Sequence, residues 1–232
     1  MRDQRTVSVI GAGRIGREII EFVQGSPGLS LGRVLSRSGV PDTADVSAFF
    51  GTHADIIVDA AGPEALRNFG PAVLERADLW TVGAAALADD DFRSELTATG
   101  GKHGHHLRLF SPWISGISSG IADTSARLHI VARRPGIGSA WSGPLREAVE
   151  RFPDDLNSAV AAALCGPGLD ATSVEILDSG AGGSHRIDAT YSTAATTFTS
   201  SIEFNAADQT SHPAAAAVIS ALRDGNSVLR YG

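Results

Sequence analysis

Apolar positions in the first half of the chain alternate between two rhythms. Thr6-Val7-Ser8-Val9-Ile10 is a short β-branched run that predicts a strand. Ile15, Ile19, Ile20 and Val23 then recur at helical spacing, and Gly25-Ser26-Pro27-Gly28 closes that helix. A second strand is expected over Leu31–Leu35. Residues 39–53 are weakly patterned, with a short helix expected around Val46–Phe50. Asp55-Ile56-Ile57-Val58-Asp59-Ala60-Ala61 is a continuous apolar run of the kind buried in parallel sheets. Pro63 suits a helix first turn ahead of Leu66, Phe69, Val73 and Leu74. Strands over Leu79–Val82 and Leu107–Phe110 flank a helix over Asp89–Leu96. Strands alternating with helices predict a parallel sheet with right-handed crossovers.

The rhythm changes after about residue 111. Arg127–Ala132, Ser173–Leu177, Ile187–Thr193 and Thr196–Phe204 read as strands of period two, predicting an antiparallel or mixed sheet. Pro144–Phe152 and Leu156–Leu164 read as helices. The alanine-rich stretch from Pro213 to Leu222 predicts a last helix, capped at Asp224-Gly225. The fold class expected is α/β, an N-terminal Rossmann domain plus a C-terminal α+β domain, with the boundary near residue 110.

Composition narrows the function. The chain has 232 residues, 43% hydrophobic and 19% charged, with a mean hydropathy of +0.03. That excludes a disordered tail and allows a core without disulfide or metal staples. A formal charge of −7 opposes binding to nucleic-acid phosphates. Cys165 is the sole cysteine, so no intrachain disulfide or cysteine cage forms. No apolar run approaches the roughly 20 residues of a membrane helix, and no secretory leader is read at the start; a cytoplasmic protein is expected. Lys102 is the only lysine, which leaves almost no candidate for catalysis by a lysine amine.

Gly11-Ala12-Gly13-Arg14-Ile15-Gly16 follows the first strand and opens the first helix, the context in which a G-x-G-x-x-G run binds a dinucleotide. Gly11 permits the tight turn, Gly13 lets a pyrophosphate approach the backbone, and Gly16 lets helix pack on strand. The second strand ends in Ser36-Arg37-Ser38, without the acidic residue that holds the ribose 2′-hydroxyl of NAD. An arginine with two hydroxyls favours NADP, or acceptance of either cofactor. His185 lies in Gly180-Ala181-Gly182-Gly183-Ser184-His185, a glycine-rich loop ahead of a strand, where a general acid or base would be displayed; a structural role is an equal alternative. Lys102-His103-Gly104-His105-His106 lacks a carboxylate or cysteine and reads as a solvated turn, so no metal site is expected. His129, alternating with apolar residues on a strand, reads as structural. No Ser-His-Asp triad, Walker loop or zincin motif stands out.

The chain resembles the L-aspartate dehydrogenases along its whole length. The matching segments are Ile10–Gly16, Asp55–Ala65, Val82–Asp89, Arg151-Phe152-Pro153-Asp154-Asp155-Leu156-Asn157, Ser184-His185, Thr210-Ser211 and Ala221–Arg223 to Tyr231-Gly232. The resemblance implies a Rossmann domain over residues 1–110, rejoined by the last helix (212–232), and an α+β substrate and dimerisation domain over 111–211. It implies a homodimer that converts L-aspartate and NAD(P) to iminoaspartate or oxaloacetate, ammonia and NAD(P)H. His185 falls on the family's catalytic histidine. Asn157 falls on an asparagine near the nicotinamide, and Thr210 and Ser211 on a pair close to the substrate carboxylates. Ala60, Ala61, Gly83 and Trp113 fall in segments beside the cofactor. The chain departs from the family pattern at Pro112-Trp113, at Asp155 where asparagine is usual, and at Gln209 where lysine is usual. A related amine or imine oxidoreductase with another substrate, and a non-catalytic NAD(P)-binding sensor, are the alternatives.

Overall fold

The computed structural model describes residues 4–112, 114, 124–204 and 211–226. These form two compact units. One comprises the chain to Phe110 together with the chain from Ala214; the other runs from Ser111 to Pro213.

The first unit holds β1 (Arg5–Ile10), α1 (Arg14–Gly25), β2 (Leu29–Leu35), α2 (Val46–Phe50), β3 (Ile56–Asp59), α3 (Pro63–Leu74), β4 (Asp78–Thr81), α4 (Asp90–His103) and β5 (Leu107–Leu109). Its sheet has five parallel strands in the order β2-β1-β3-β4-β5. Strand order therefore reverses between β1 and β3, and ligands of open parallel sheets settle outside the carboxyl ends at such a point. Val7, Val9 and Val58 are fully buried, as are Ile19 and Val23 on the inner face of α1. The last helix, α7 (Pro213–Asn226), brings Ala215, Val218, Ala221 and Leu222 into this same core. Each such valine, leucine or isoleucine contributes about 1.5–3 kcal/mol by leaving water, and each alanine less.

Most boundaries fall within about two residues of expectation, and the largest differences are at the ends of two helices. Helix α4 continues past Leu96 to His103 and stops at Gly104, which adopts φ +76 and donates its N–H to Gly100 O. Helix α7 runs through Gly225 rather than capping there, and a Cβ at Gly225 would lie 2.4 Å from an Arg5 Nη.

The second unit carries β6 (Arg127–Arg134), β7 (Trp141–Pro144), α5 (Leu145–Arg151), α6 (Asn157–Cys165), β8 (Thr172–Asp178), β9 (His185–Ser192) and β10 (Thr197–Phe204). Its sheet is mixed, ordered β10-β9-β6-β8-β7, with β6 and β8 parallel and the other pairs antiparallel. The period-two pattern sets one buried face: Ile130 pairs with Val174 and Ala189, and Ala132 with Ile176 and Ile187. Strand β7 went unforeseen. Trp141-Ser142-Gly143-Pro144 has no apolar alternation, and proline is tolerated there because β7 is an edge strand. Among the described residues no helix is long and apolar enough to cross a membrane.

Candidate functional site

The turn after β1 is shaped by what a side chain would strike. Gly11 sits at φ +98, and a Cβ there would lie 2.9 Å from the Ala61 Cβ. A Cβ on Gly16 would lie 1.9 Å from the Gly11 carbonyl oxygen, so only glycine lets α1 start this close to β1. Gly13 differs: a Cβ there meets nothing within 4 Å. It is exposed, and as the residue capping α1 it offers no side-chain bond to the first-turn N–H groups. Open backbone at a helix N-terminus is what an incoming phosphate requires. Ala12 and Ile15 are half-buried and Arg14 exposed beside it.

The turns after β3 and β4 close on the same edge. Ala60 donates its N–H to Ile10 O at 2.8 Å. Gly83 is buried, and a Cβ there would lie 2.5 Å from the Gly62 carbonyl carbon. Between them sits Asp59, 1% exposed, which sequence reasoning passed over as a strand residue. It accepts bonds from the Thr81 hydroxyl at 2.7 Å and the Ala61 N–H at 3.0 Å. Burial pushes its carboxyl up to about 6, against the pull of the Thr81, Ala61 and Gly62 donors. The available signal was a carboxylate closing an otherwise apolar parallel strand.

After β2, the Ser36 hydroxyl donates to Val40 O at 2.7 Å, holding the loop rather than facing out. Asp42 turns back to the Val34 N–H at 2.9 Å and the Arg33 guanidinium at 3.0 Å. Arg37 is exposed, with no bond or ion pair to a described residue.

In the second unit, His185 opens β9, half-buried, and no described residue hydrogen-bonds its ring. Partial burial, and then the positive charge of Arg134, lower its pKa below the ordinary histidine value. The loop before it is tied down by Asp178, which accepts from Gly180 N–H at 2.8 Å and from Gly136 and Gly138 N–H at 3.2 Å. These bonds hold the Asp178 carboxyl below its usual range. Asp155 faces Arg134, whose guanidinium donates to both its carboxylate and, at 2.9 Å, its carbonyl oxygen. Its charge is therefore balanced within the unit. Asn157 begins α6 and donates to Asp154 O at 3.2 Å. Ser211 is exposed; Trp113 and Thr210 lie outside the described residues.

Two of the other histidines are occupied locally. His105 is half-buried and its Nδ1 lies 2.8 Å from Leu74 O, so it fastens the end of α4 rather than standing in solvent. His129 Nδ1 lies 2.9 Å from the Ser173 hydroxyl. No group of three or more metal-ligating side chains occurs among the described residues.

Comparison with known proteins agrees with this division. Residues 11–109 match the family model described as "Homoserine dehydrogenase, NAD binding domain", and residues 125–225 match "Aspartate dehydrogenase, C-terminal". L-aspartate dehydrogenase 1 of Bordetella pertussis is 31% identical over 159 residues, covering 61% of this chain and 62% of that protein. L-aspartate dehydrogenase 2 of the same organism is 32% identical over 181 residues, covering 67% and 66%. The matched segments thus span just under two thirds of these relatives' length. The crystal structure of aspartate dehydrogenase from Thermotoga maritima superposes with a TM-score of 0.74 over 98% of this chain and 99% of that one, at 20% identity, which establishes a shared fold. The first unit is a nicotinamide-dinucleotide-binding domain, and the chain belongs to the aspartate dehydrogenase family.

Proposed function

We propose that the protein is an NAD(P)-dependent oxidoreductase acting on CH–NH2, converting L-aspartate to iminoaspartate and, after hydrolysis, to oxaloacetate and ammonia. The observation that carries this reading is the joining, in one chain, of a glycine cradle whose helix N-terminus has no side-chain cap and an aspartate dehydrogenase-type C-terminal half bearing His185. The residues present fit the cofactor. Gly11, Ala12, Gly13, Arg14, Ile15 and Gly16 form the phosphate turn, and Ala60, Ala61 and Gly83 line the neighbouring turns. Trp113 and Asn157 are read as its contacts from the second half of the chain, and Thr210 and Ser211 as substrate contacts.

When bound, the nicotinamide supplies the acceptor for the hydride leaving the substrate Cα. The chain's own contribution is positioning and proton transfer. His185 takes a proton from the substrate ammonium, or from the water that adds to the imine. A ring held below the ordinary histidine range is neutral at pH 7 and free to accept. Arg134, balanced by Asp155, keeps that neighbourhood from becoming anionic toward a dicarboxylate. NADP is the favoured cofactor, supported by the unengaged Arg37 and the inward turn of Asp42. The position of β10 at the edge of the sheet, among the described residues, supports pairing of two copies.

The test is a panel of amino acids with NADP or NAD, followed by reduced-cofactor absorbance. L-Aspartate is expected to turn over. His185→Ala is expected to lower kcat about 10²- to 10⁴-fold, with cofactor Kd unchanged. Aspartate turnover that survives His185→Ala removes the histidine from the reaction, and turnover of another amine alone reassigns the substrate.

A further inference from the structure

The first unit keeps a carboxylate where a neutral side chain would be cheaper to bury. Asp59 is 1% exposed at the end of β3. Among the described residues no charged group acts on it; its neighbours are the Thr81 hydroxyl and the N–H groups of Ala61 and Gly62. A buried carboxylate without a cation is a standing penalty, and the donors only partly offset it.

What those donors have in common is their place. All lie in the turns that leave the carboxyl ends of β3 and β4, beside the strand-order reversal. The Thr81 hydroxyl has one proton and gives it to Asp59, so its oxygen is free to accept the Gly83 N–H at 2.8 Å. One chain of bonds therefore runs from Gly83 through Thr81 to Asp59, and from Asp59 to Ala61 and Gly62. The two turns also interlock sterically, Gly83 against Gly62 and Ala61 against Gly11. Movement of one turn displaces the next, and finally the glycine turn itself.

We propose that Asp59 is a positioning residue for the dinucleotide: its carboxylate gathers the turns after β3 and β4 and holds them against Gly11, fixing the floor on which the dinucleotide lies. This rests on the dinucleotide reading above. A protonated carboxyl or an amide offers fewer acceptor sites to the same donors, so at least one N–H or hydroxyl loses its partner. With the carboxyl at about 6, the floor loosens as pH falls through that value.

The experiment is fluorescence titration of the full chain with NADPH and with NADH, one unit above and one unit below pH 6. Asp59→Asn is expected to weaken the preferred cofactor about tenfold at the higher pH. Wild type is expected to lose affinity at the lower pH, and Asp59→Asn to show a flat response. Thr81→Ser keeps the hydroxyl and should bind as wild type, whereas Thr81→Val should fall between wild type and Asp59→Asn. An Asp59→Asn Kd equal to wild type, or an acid loss that persists in Asp59→Asn, overturns the role of Asp59 alone. Wild type binding neither dinucleotide at either pH overturns the underlying reading as well. If circular dichroism shows that Asp59→Asn does not fold, Thr81→Val decides: a folded Thr81→Val with wild-type affinity and wild-type pH response overturns the proposal.

Discussion

The glycine turn after β1 and the glycine-rich loop before β9 carry the chain's two proposed chemistries, and they are built from opposite materials. The first is backbone against backbone: Gly16 against the Gly11 carbonyl, Gly83 against Gly62. Its N–H groups and helix dipole are the proposed recognition elements, and the charged side chain proposed to steady it, Asp59, acts only through the neighbouring turns. The second is held by charge. Asp178 gathers three glycine N–H groups from two loops, and Arg134 answers Asp155 and biases His185. A turn built from contacts fails when volume is added, and a loop built from charges fails when charge is removed. The two should therefore respond to different substitutions.

The largest effect belongs to Gly16→Ala. The new Cβ would overlap a backbone carbonyl that cannot rotate away, so α1 must shift off β1. Overpacking of this kind costs about 1–3 kcal/mol, and displacing the helix N-terminus should abolish measurable cofactor binding. Thermal midpoint should fall by roughly 5–10 °C in a chain of this size. Gly13→Ala sharpens the contrast, since its Cβ has open space. Its melting temperature should stay within about 1 °C of wild type while cofactor Kd rises about tenfold. A Gly13→Ala protein with unaltered affinity would mean that the pyrophosphate does not pass over this turn.

Arg134→Met addresses the other region. The pair is only partly screened, at 22% and 33% side-chain exposure, so stranding Asp155 should cost about 2 kcal/mol. Asp155→Asn in the same chain should recover most of that loss, a coupling readable in a double-mutant cycle. The catalytic consequence has a sign. Burial and then Arg134 hold the His185 pKa down, which keeps the ring neutral and active into mildly acidic solution. Removing the cation lets the pKa rise, so the acidic limb of kcat/KM should move to higher pH. Arg134→Lys should restore it. An unmoved limb in Arg134→Met would show that burial alone tunes the histidine.

The same division governs what could be read from the sequence. The first unit was legible because its determinants are local: an apolar parallel strand, three glycines at fixed spacing, a proline at a helix start. The second was legible as strands wherever period two persisted, as in Leu128, Ile130 and Ala132. It was silent at β7, whose four residues include a glycine and a proline. Arg134 and Asp155 are far apart in sequence and on different elements, so their pairing needs the fold before it can be seen. In the sequence Asp155 is visible only as a departure from the family's asparagine, and the cation that balances it is not. Asp59 was hidden for a related reason. Its run reads as a buried parallel strand, but the donors that meet its carboxylate come from β4 and the turn after β3, which only the fold brings together.

Arg37→Ala probes a place where the backbone-built region is proposed to offer a side chain to the cofactor itself. Arg37 is exposed and engaged by no described residue, so its removal should leave stability within about 0.5 kcal/mol of wild type. The next carboxylate along the chain, Asp42, is already bound to Arg33 and the Val34 N–H, and does not face outward to hold a ribose hydroxyl. If the 2′-phosphate of NADP meets Arg37, a charge-assisted bond is lost, and NADPH Kd should rise about tenfold with NADH Kd unchanged. The measurement is paired titration of both dinucleotides against wild type and variant. Equal weakening of both would place Arg37 on a group the two cofactors share. No change in either would leave direct contact with the cofactor to the backbone, and the preference for NADP without its side chain.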